Sequence, residues 1–135
     1  MMLDTSYIVD LLREQASGRP GPAARFLQDH RASKLRMPVF VLCELQLGVL
    51  RGRNTQDAHA AVEQLAEFIE PVYPSAGFAP AYAMIVASLL QAGTQIPTMD
   101  ALIGSMAVVH SEPIVTADVE HFSRIKNLVV LHYRE

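Results

Sequence analysis

The chain has 135 residues, of which half are apolar and 19% are charged, with a formal net charge of −3. This composition excludes an intrinsically disordered chain, and the length predicts a single domain, residues 1–135, with a sizeable core. No Lys or Arg occurs between residues 54 and 123, which argues against binding nucleic acid through an overall basic surface.

The sequence carries no signal for a membrane or for export. No apolar run reaches the 18 to 20 residues of a membrane span, and the first residues lack the basic and apolar regions of a signal peptide. Cys43 is the only cysteine, so no internal disulfide can form, and we expect it to be a small buried side chain. These features predict a cytoplasmic protein without membrane contacts.

Short apolar stretches bounded by polar residues predict strands, and longer stretches with helical periodicity predict helices. Because the two alternate, we expect an α/β fold with a mainly parallel sheet, whose strand order stays open. In chain order we expect a strand at 2–3, helices at 5–14 and 22–33, a strand at 36–40, a helix ending near Gly52, an amphipathic helix at 55–69 with Phe68 on its apolar face, a strand at 71–74, helices at 78–92 and 98–110, a strand at 113–118, a helical turn at 119–125 and a strand at 127–133.

Four carboxylates stand in apolar surroundings. Asp100 is the only charged residue from Pro71 to Ser111, and Glu44 is the only one between Arg36 and Arg51. Asp4 and Asp118 follow predicted strands, and ligands of open parallel sheets collect at the carboxyl ends of strands. Glu44 and Asp100 lie on predicted helices that could lean toward the same crevice.

Structural explanations for these acids stay open. Asp4 could cap the helix that it precedes, and Asp100 in a first helical turn would be favoured by the helix dipole. Glu44 is harder to explain, because burying an unpaired carboxylate costs several kcal/mol. If the four converge, their repulsion demands a cation, and oxygen ligands select Mg²⁺ or Mn²⁺, whereas zinc would call for His or Cys. His110 and His121 could lie nearby, although a structural or surface role is favoured for each.

Four segments resemble the PIN-domain ribonucleases, and most closely the VapC-type toxins of prokaryotic toxin–antitoxin pairs. They are "LDTSYIVDLL", "ELQLGVLRG", "IPTMDALIGSMA" and "IVTADVEHF", in the family's order and spacing. None is specific alone, but together they cover nearly the whole chain. The resemblance implies a PIN-like α/β sandwich with a roughly five-stranded parallel sheet, and an acidic pocket that holds Mg²⁺ or Mn²⁺ and hydrolyses RNA phosphodiester bonds.

Carried over residue by residue, the resemblance makes Asp4, Glu44, Asp100 and Asp118 the catalytic and metal-binding acids. Ser6 and Thr116 match accessory hydroxyl groups, although a helix-start and a strand role are equally open for them. Many relatives carry a further acid late in the last motif. Glu120 could replace it here, but a solvated turn is favoured.

The resemblance also implies partners. Family members usually form homodimers and are silenced by an antitoxin that lies in an apolar groove. We expect this groove at the first two helices, including Tyr7, Leu11, Phe26 and Leu27. The RNA substrate needs positive charge at the rim of the acidic pocket, and Arg51 and Arg53 are candidates for binding phosphates. Their alternative role is to stabilise a helix C-terminus.

Two other classes of protein fit part of the pattern. A response-regulator receiver domain also binds Mg²⁺ at strand ends, but it would need an acidic pair after the first strand and a late lysine. Here Asp4 is followed by Thr5 and Ser6. A PIN-like module that binds RNA or protein without cutting is disfavoured by the full set of acids, and a nuclease assay decides it.

Overall fold

The computed structural model describes residues 1–135, which form five short strands and seven helices. The strands make one sheet in the order β3-β2-β1-β4-β5, and every neighbouring pair is parallel. The predicted α/β fold with a five-stranded parallel sheet is therefore confirmed. The elements are β1 Met2–Leu3, α1 Thr5–Ser17, α2 Pro22–Asp29, β2 Arg36–Pro38, α3 Val39–Arg51, α4 Thr55–Phe68, β3 Glu70–Val72, α5 Phe78–Ala92, α6 Thr98–Val109, β4 Ile114–Thr116, α7 Val119–Ser123 and β5 Val130–His132.

The parallel sheet brings several helix N-termini to one edge. Helices α1, α3 and α7 begin where β1, β2 and β4 end, at the carboxyl edge of the sheet. Helix α6 leads into β4 through a short turn, so its N-terminus lies at this same edge. The central strands β1 and β4 are fully buried. The carboxyl edge that they form is therefore supported by the core.

Gly104 on α6 leaves room for side chains from α7 and from the residues that follow it. A Cβ on Gly104 would collide with the side chain of buried Ile125 and would lie 3.4 Å from Phe122. The close approach brings the start of α7 beside the start of α6. Gly104 thus helps to set the spacing of two helices that carry candidate site residues.

Three expectations about the helices are wrong in detail. The helix expected over 22–33 ends at Asp29. Phe68, expected on the buried face of α4, is the last residue of the helix and is 72% exposed. Cys43, expected to be buried, is exposed, because α3 is apolar around most of its surface and buries only the stripe formed by Val41, Leu45 and Val49.

No helix combines the length and the hydropathy that crossing a bilayer requires. The most apolar helix, α5, has 15 residues.

Candidate active site

Asp4 lies at the centre of the carboxyl edge and is only 5% exposed. It occupies the N-cap position of α1, but its side chain makes no capping hydrogen bond. Its Oδ2 atom instead accepts hydrogen bonds from the hydroxyl groups of Ser6 at 2.9 Å and Thr116 at 2.7 Å. Because both hydroxyls use the same oxygen, Oδ1 is left for another ligand. The capping explanation for Asp4 is therefore excluded.

Ser6 at the start of α1 and Thr116 at the end of β4 tie these two elements together around this carboxylate. The Ser6 hydroxyl accepts a hydrogen bond from the backbone N–H of Ala117 at 3.0 Å, and the Thr116 hydroxyl accepts one from the N–H of Asp118 at 2.9 Å. Each hydroxyl thus receives one hydrogen bond and donates one to Asp4. This network fixes the carboxylate of Asp4 and the start of the Asp118 loop in one geometry.

Glu44 reaches the same edge from the second turn of α3. Its Oε1 atom accepts a hydrogen bond from the Thr5 hydroxyl at 2.5 Å. Burial raises the pKa of Glu44, the hydrogen bond from Thr5 opposes this, and the negative charges of Asp4 and Asp100 raise the pKa further; the net direction is upward. The charges of two other acids therefore act on the carboxylate of Glu44.

Asp100 lies in the first turn of α6 and is half-buried. Burial raises its pKa, and the charges of Asp4 and Asp118 add to this, while the hydrogen bond from His121 opposes it; the net direction is again upward. No Lys or Arg forms an ion pair with Asp4, Glu44, Asp100 or Asp118. The charges of the four predicted acids thus act on one another at this edge, and His121 is the only basic side chain that contacts them.

His121, which the sequence allowed near the acids, contacts two of them. Its Nδ1 atom lies 2.8 Å from Asp100 Oδ2 and 2.8 Å from Asp118 Oδ2. The three side chains can place ligand atoms within 4.8 Å of one another. His110, the other candidate, caps the opposite end of α6, ten residues from Asp100 and about 15 Å along the helix axis. The sequence feature that could have indicated His121 is its position three residues after Asp118. At that spacing in a helix, the imidazole lies beside the N-cap residue.

The remaining predicted residues lie farther out. Arg51 and Arg53 are exposed at the end of α3, and Arg51 is about 10 Å along the helix from Glu44. Glu120 forms an exposed ion pair with Arg124 at 2.8 Å, which agrees with a solvated turn. Thr5, which binds Glu44, was not among the predicted site residues.

Two of the four side chains expected at the apolar groove are not accessible. Tyr7 and Leu11 are fully buried in the core, so they cannot line an open groove, and Phe26 and Leu27 are partly buried. An open apolar groove runs between α1, α3 and α4, with Glu44 at its wall, and has a volume of 540 Å³. Its apolar lining includes Val9, Leu12, Leu45, Val49, Ala61 and Val62.

The donor set fits a divalent cation. Ligand atoms of Asp100, Asp118 and His121 lie within 4.8 Å of one another. The pKa values of Glu44 and Asp100 are raised by burial and also by neighbouring negative charge, including that of Asp4. A divalent ion would relieve this repulsion, and carboxylate oxygens are the ligands that hard ions prefer. The arrangement can therefore hold a metal ion at the carboxyl edge of the sheet.

Comparison with known proteins agrees with this geometry. The family model described as "PIN domain" matches residues 1–128. The chain therefore belongs to the PIN domain family, which sets aside the receiver-domain alternative.

Within that family the relatives are VapC ribonucleases. The chain is 32% identical to Ribonuclease VapC4 of Mycobacterium tuberculosis over 73% of this chain and 78% of the relative. It is 28% identical to Ribonuclease VapC1 of Rickettsia felis over 97% of this chain and 94% of the relative. The crystal structure of VapBC2 from Rickettsia felis bound to a promoter DNA fragment superposes with a TM-score of 0.87 at 25% identity, covering 96% of this chain and 95% of that chain.

Proposed function

We propose that residues 1–135 act as one PIN-like nuclease domain, a metal-dependent endoribonuclease that is the toxin of a toxin–antitoxin pair. The observation that carries the proposal is the convergence of Asp4, Glu44, Asp100 and Asp118 at one edge of the sheet without a Lys or Arg paired to any of them. The kinship with VapC ribonucleases supports RNA as the substrate. Cytoplasmic RNA is the natural target, and the unpaired thiol of Cys43 suits that reducing compartment.

The acids divide into two functional groups. Asp4 and Asp100 are our first candidates for direct metal ligands, because Asp4 has a free Oδ1 and Asp100 is half-buried among other negative charges. Asp118 completes the ligand set. Glu44 is suited to position the attacking water and accept its proton, since its raised pKa makes the carboxylate a better base.

A bound Mg²⁺ or Mn²⁺ would supply Lewis-acid activation of water and would stabilise charge on the phosphate and the leaving oxygen. The protein's contribution is to hold the acids rigidly. Ser6 and Thr116 orient Asp4, and Thr5 orients Glu44. Water attacks the phosphorus in line with the leaving oxygen, so no side chain has to act as a nucleophile. Arg51 and Arg53 bind phosphates of the RNA farther along α3.

The antitoxin is proposed to occupy the open groove between α1, α3 and α4. An amphipathic helix would place its apolar side against Leu12, Leu45 and Val49, and a basic side chain at its end would be attracted to Glu44. We expect an Ala61→Glu variant to keep its RNA cleavage but to resist inhibition by the antitoxin that is purified with the toxin, because a carboxylate would stand in the apolar groove.

The homodimer is proposed to form through α5 and the outer side of α3. Met84 and Leu90 on α5 are 75% and 53% exposed, and Leu47 and Leu50 on α3 are 51% and 77% exposed. No charged residue occurs on α5, so two copies of this surface can meet without repulsion. Leu50→Asp should reduce the mass measured by light scattering from a dimer to a monomer.

The nuclease proposal is tested by incubating the purified protein with mixed RNAs in Mn²⁺ or Mg²⁺, and then with chelator. We expect cleavage with the ion and none after chelation. Asp4→Asn should remove cleavage, whereas Glu120→Gln, which alters an exposed acid next to the site, should retain it. Cleavage that resists the chelator, or an active Asp4→Asn variant, would contradict the proposal. No cleavage by the wild-type protein under any of these conditions would favour the non-catalytic PIN-like module.

A further inference from the structure

One ring nitrogen of His121 faces carboxylate oxygens of two of the acids. Its Nδ1 atom is 2.8 Å from both Asp100 Oδ2 and Asp118 Oδ2, yet Nδ1 carries at most one proton. Only the contact with Asp100 has hydrogen-bond geometry. The second carboxylate oxygen therefore lies close to a nitrogen that has no proton to offer it.

The position of the ring is built into the fold. Asp118 caps α7 by accepting a hydrogen bond from the backbone N–H of His121 at 3.4 Å, which turns the imidazole back toward the cap. The close packing of α7 on α6 at Gly104 brings the ring to Asp100. Three donor atoms from two helices and a cap thus converge within 4.8 Å.

Resting on the proposed nuclease function, we propose that His121 is a metal ligand through Nδ1, together with Asp100 and Asp118, and that it makes the site prefer Mn²⁺ to Mg²⁺. When the ion binds, it takes the place of the Nδ1 proton, which is released to solvent or moves to the other ring nitrogen. All three close atoms then face a positive charge.

The preference for Mn²⁺ follows from the chemistry of the ligands. Mg²⁺ is bound almost entirely by oxygen, including several retained water molecules. An imidazole nitrogen adds affinity for first-row transition ions, and Mn²⁺ is the member of that series that also accepts carboxylate ligands well. Replacing the oxygen of a further acid by the nitrogen of His121 therefore favours Mn²⁺.

The test is pulsed electron paramagnetic resonance of the full chain loaded with Mn²⁺. A directly bound imidazole should give modulation from ¹⁴N in the wild-type spectrum. Growth with ¹⁵N-labelled histidine should replace the ¹⁴N modulation by that of ¹⁵N, with no change to the amino-acid sequence. His121→Asp, which keeps an oxygen ligand at the position, should lose the nitrogen signal. The matched control is His59→Gln, which alters an exposed histidine on α4 paired with Glu63 and should leave the signal unchanged.

Calorimetric titrations with Mn²⁺ and with Mg²⁺ give a second readout. His121→Asp should weaken Mn²⁺ binding on the order of tenfold relative to Mg²⁺ binding. The ¹⁵N-histidine experiment keeps the test valid if this variant fails to fold.

The outcomes separate this inference from the function on which it rests. Tight binding of Mn²⁺ without nitrogen modulation in the wild-type protein would overturn the role of His121 and leave the nuclease proposal standing. No binding of Mn²⁺ or Mg²⁺ by the wild-type protein would overturn both.

Discussion

Half-buried carboxylates at the two edges of the sheet have pKa values shifted in opposite directions. At the amino edge, Glu112 precedes β4 and forms an ion pair with Arg36 at the start of β2. Burial alone would raise the pKa of Glu112, but the hydrogen bond from Arg36 and the charges of the N-terminal ammonium group and of Arg36 outweigh it and hold the pKa below its ordinary value. At the carboxyl edge, Glu44 and Asp100 have raised pKa values because burial is reinforced by neighbouring acids.

The difference shows which edge is arranged for folding and which for binding. A carboxylate with a basic partner stabilises the folded chain, whereas acids that repel one another destabilise it until a cation is supplied. Substitutions at the two edges should therefore have opposite consequences for stability and activity.

The largest effect is expected at the carboxyl edge. Asp100→Asn should lower RNA cleavage at least about 100-fold, because it removes a metal ligand. The metal-free protein should be as stable as the wild type, or more stable by up to about 1 kcal/mol, because repulsion is removed as well. Initial cleavage rates and calorimetric melting check both parts. A variant that unfolds, or that cuts like the wild type, would be inconsistent with the comparison.

At the amino edge the expectation is reversed. Glu112→Gln should destabilise the protein by about 2–3 kcal/mol, because it leaves the Arg36 guanidinium without its partner in a mostly buried position. The melting temperature should fall by roughly 6–10 °C, while RNA cleavage below that temperature stays unchanged. Loss of cleavage in a folded Glu112→Gln variant would show that the two edges are not separate in function.

The stability that the Glu112 carboxylate contributes should depend on pH. A lowered pKa in the folded state gives stability that is present above the unfolded value and is lost as the pH falls through the folded pKa. In the presence of chelator, the wild type should therefore exceed Glu112→Gln in free energy of unfolding by the full amount at pH 7. This gap should shrink as the pH falls below 4.5, the ordinary pKa of glutamate. Urea unfolding across this range measures the gap, and a gap that grows toward acid would refute the assignment.

Glu14 gives a smaller effect, away from both edges. Its carboxylate accepts hydrogen bonds from the backbone N–H groups of Gly21, Ala23 and Ala24 at 2.8 to 3.0 Å. These bonds cap the start of α2, which has no capping side chain of its own. Glu14→Ala should lower the free energy of unfolding by about 1–2 kcal/mol. Substituting its exposed neighbour, Gln15→Ala, should change it by less than about 0.5 kcal/mol.

The smallest expected effect concerns RNA affinity. The double substitution Arg51→Gln and Arg53→Gln should weaken RNA binding about three- to tenfold and leave the melting temperature nearly unchanged. If each arginine binds one phosphate, the slope of log affinity against log salt should become shallower by about 0.7 for each arginine replaced. Filter binding to an uncleaved RNA by Asp100→Asn, with and without the two substitutions, provides the measurement. An unchanged slope would remove these arginines from the RNA interface.

Much of the site was predictable because its chemistry is local in the sequence. Asp4, Glu44, Asp100 and Asp118 stand out as isolated charges in apolar segments, and the repeated alternation of strands and helices predicts the parallel sheet that gathers them. The contacts that refine the site were not predictable. Thr5 meets Glu44 across 39 residues and His121 meets Asp100 across 21, and such pairs depend on helix packing that one sequence does not reveal.

The same limit explains why Tyr7 and Leu11, which are buried, were expected at the groove. Helix α1 is apolar on more than one side, and the sequence cannot tell which side the core covers. Tyr7 and Leu11 turn inward, while Val9 and Leu12 line the open groove with α3 and α4. The wrong expectation that Cys43 is buried has a similar cause. Apolar neighbours in the sequence do not show which face of α3 packs on the sheet.

The most direct test of the uncompensated acids is the melting temperature of the wild-type protein at pH 7, with Mn²⁺ added and then removed by chelator. We predict a rise that continues with ion concentration and corresponds to about 2.7 kcal/mol at one hundred times the dissociation constant, with full reversal by the chelator. A melting temperature that does not respond to millimolar Mn²⁺ or Mg²⁺ would contradict the account.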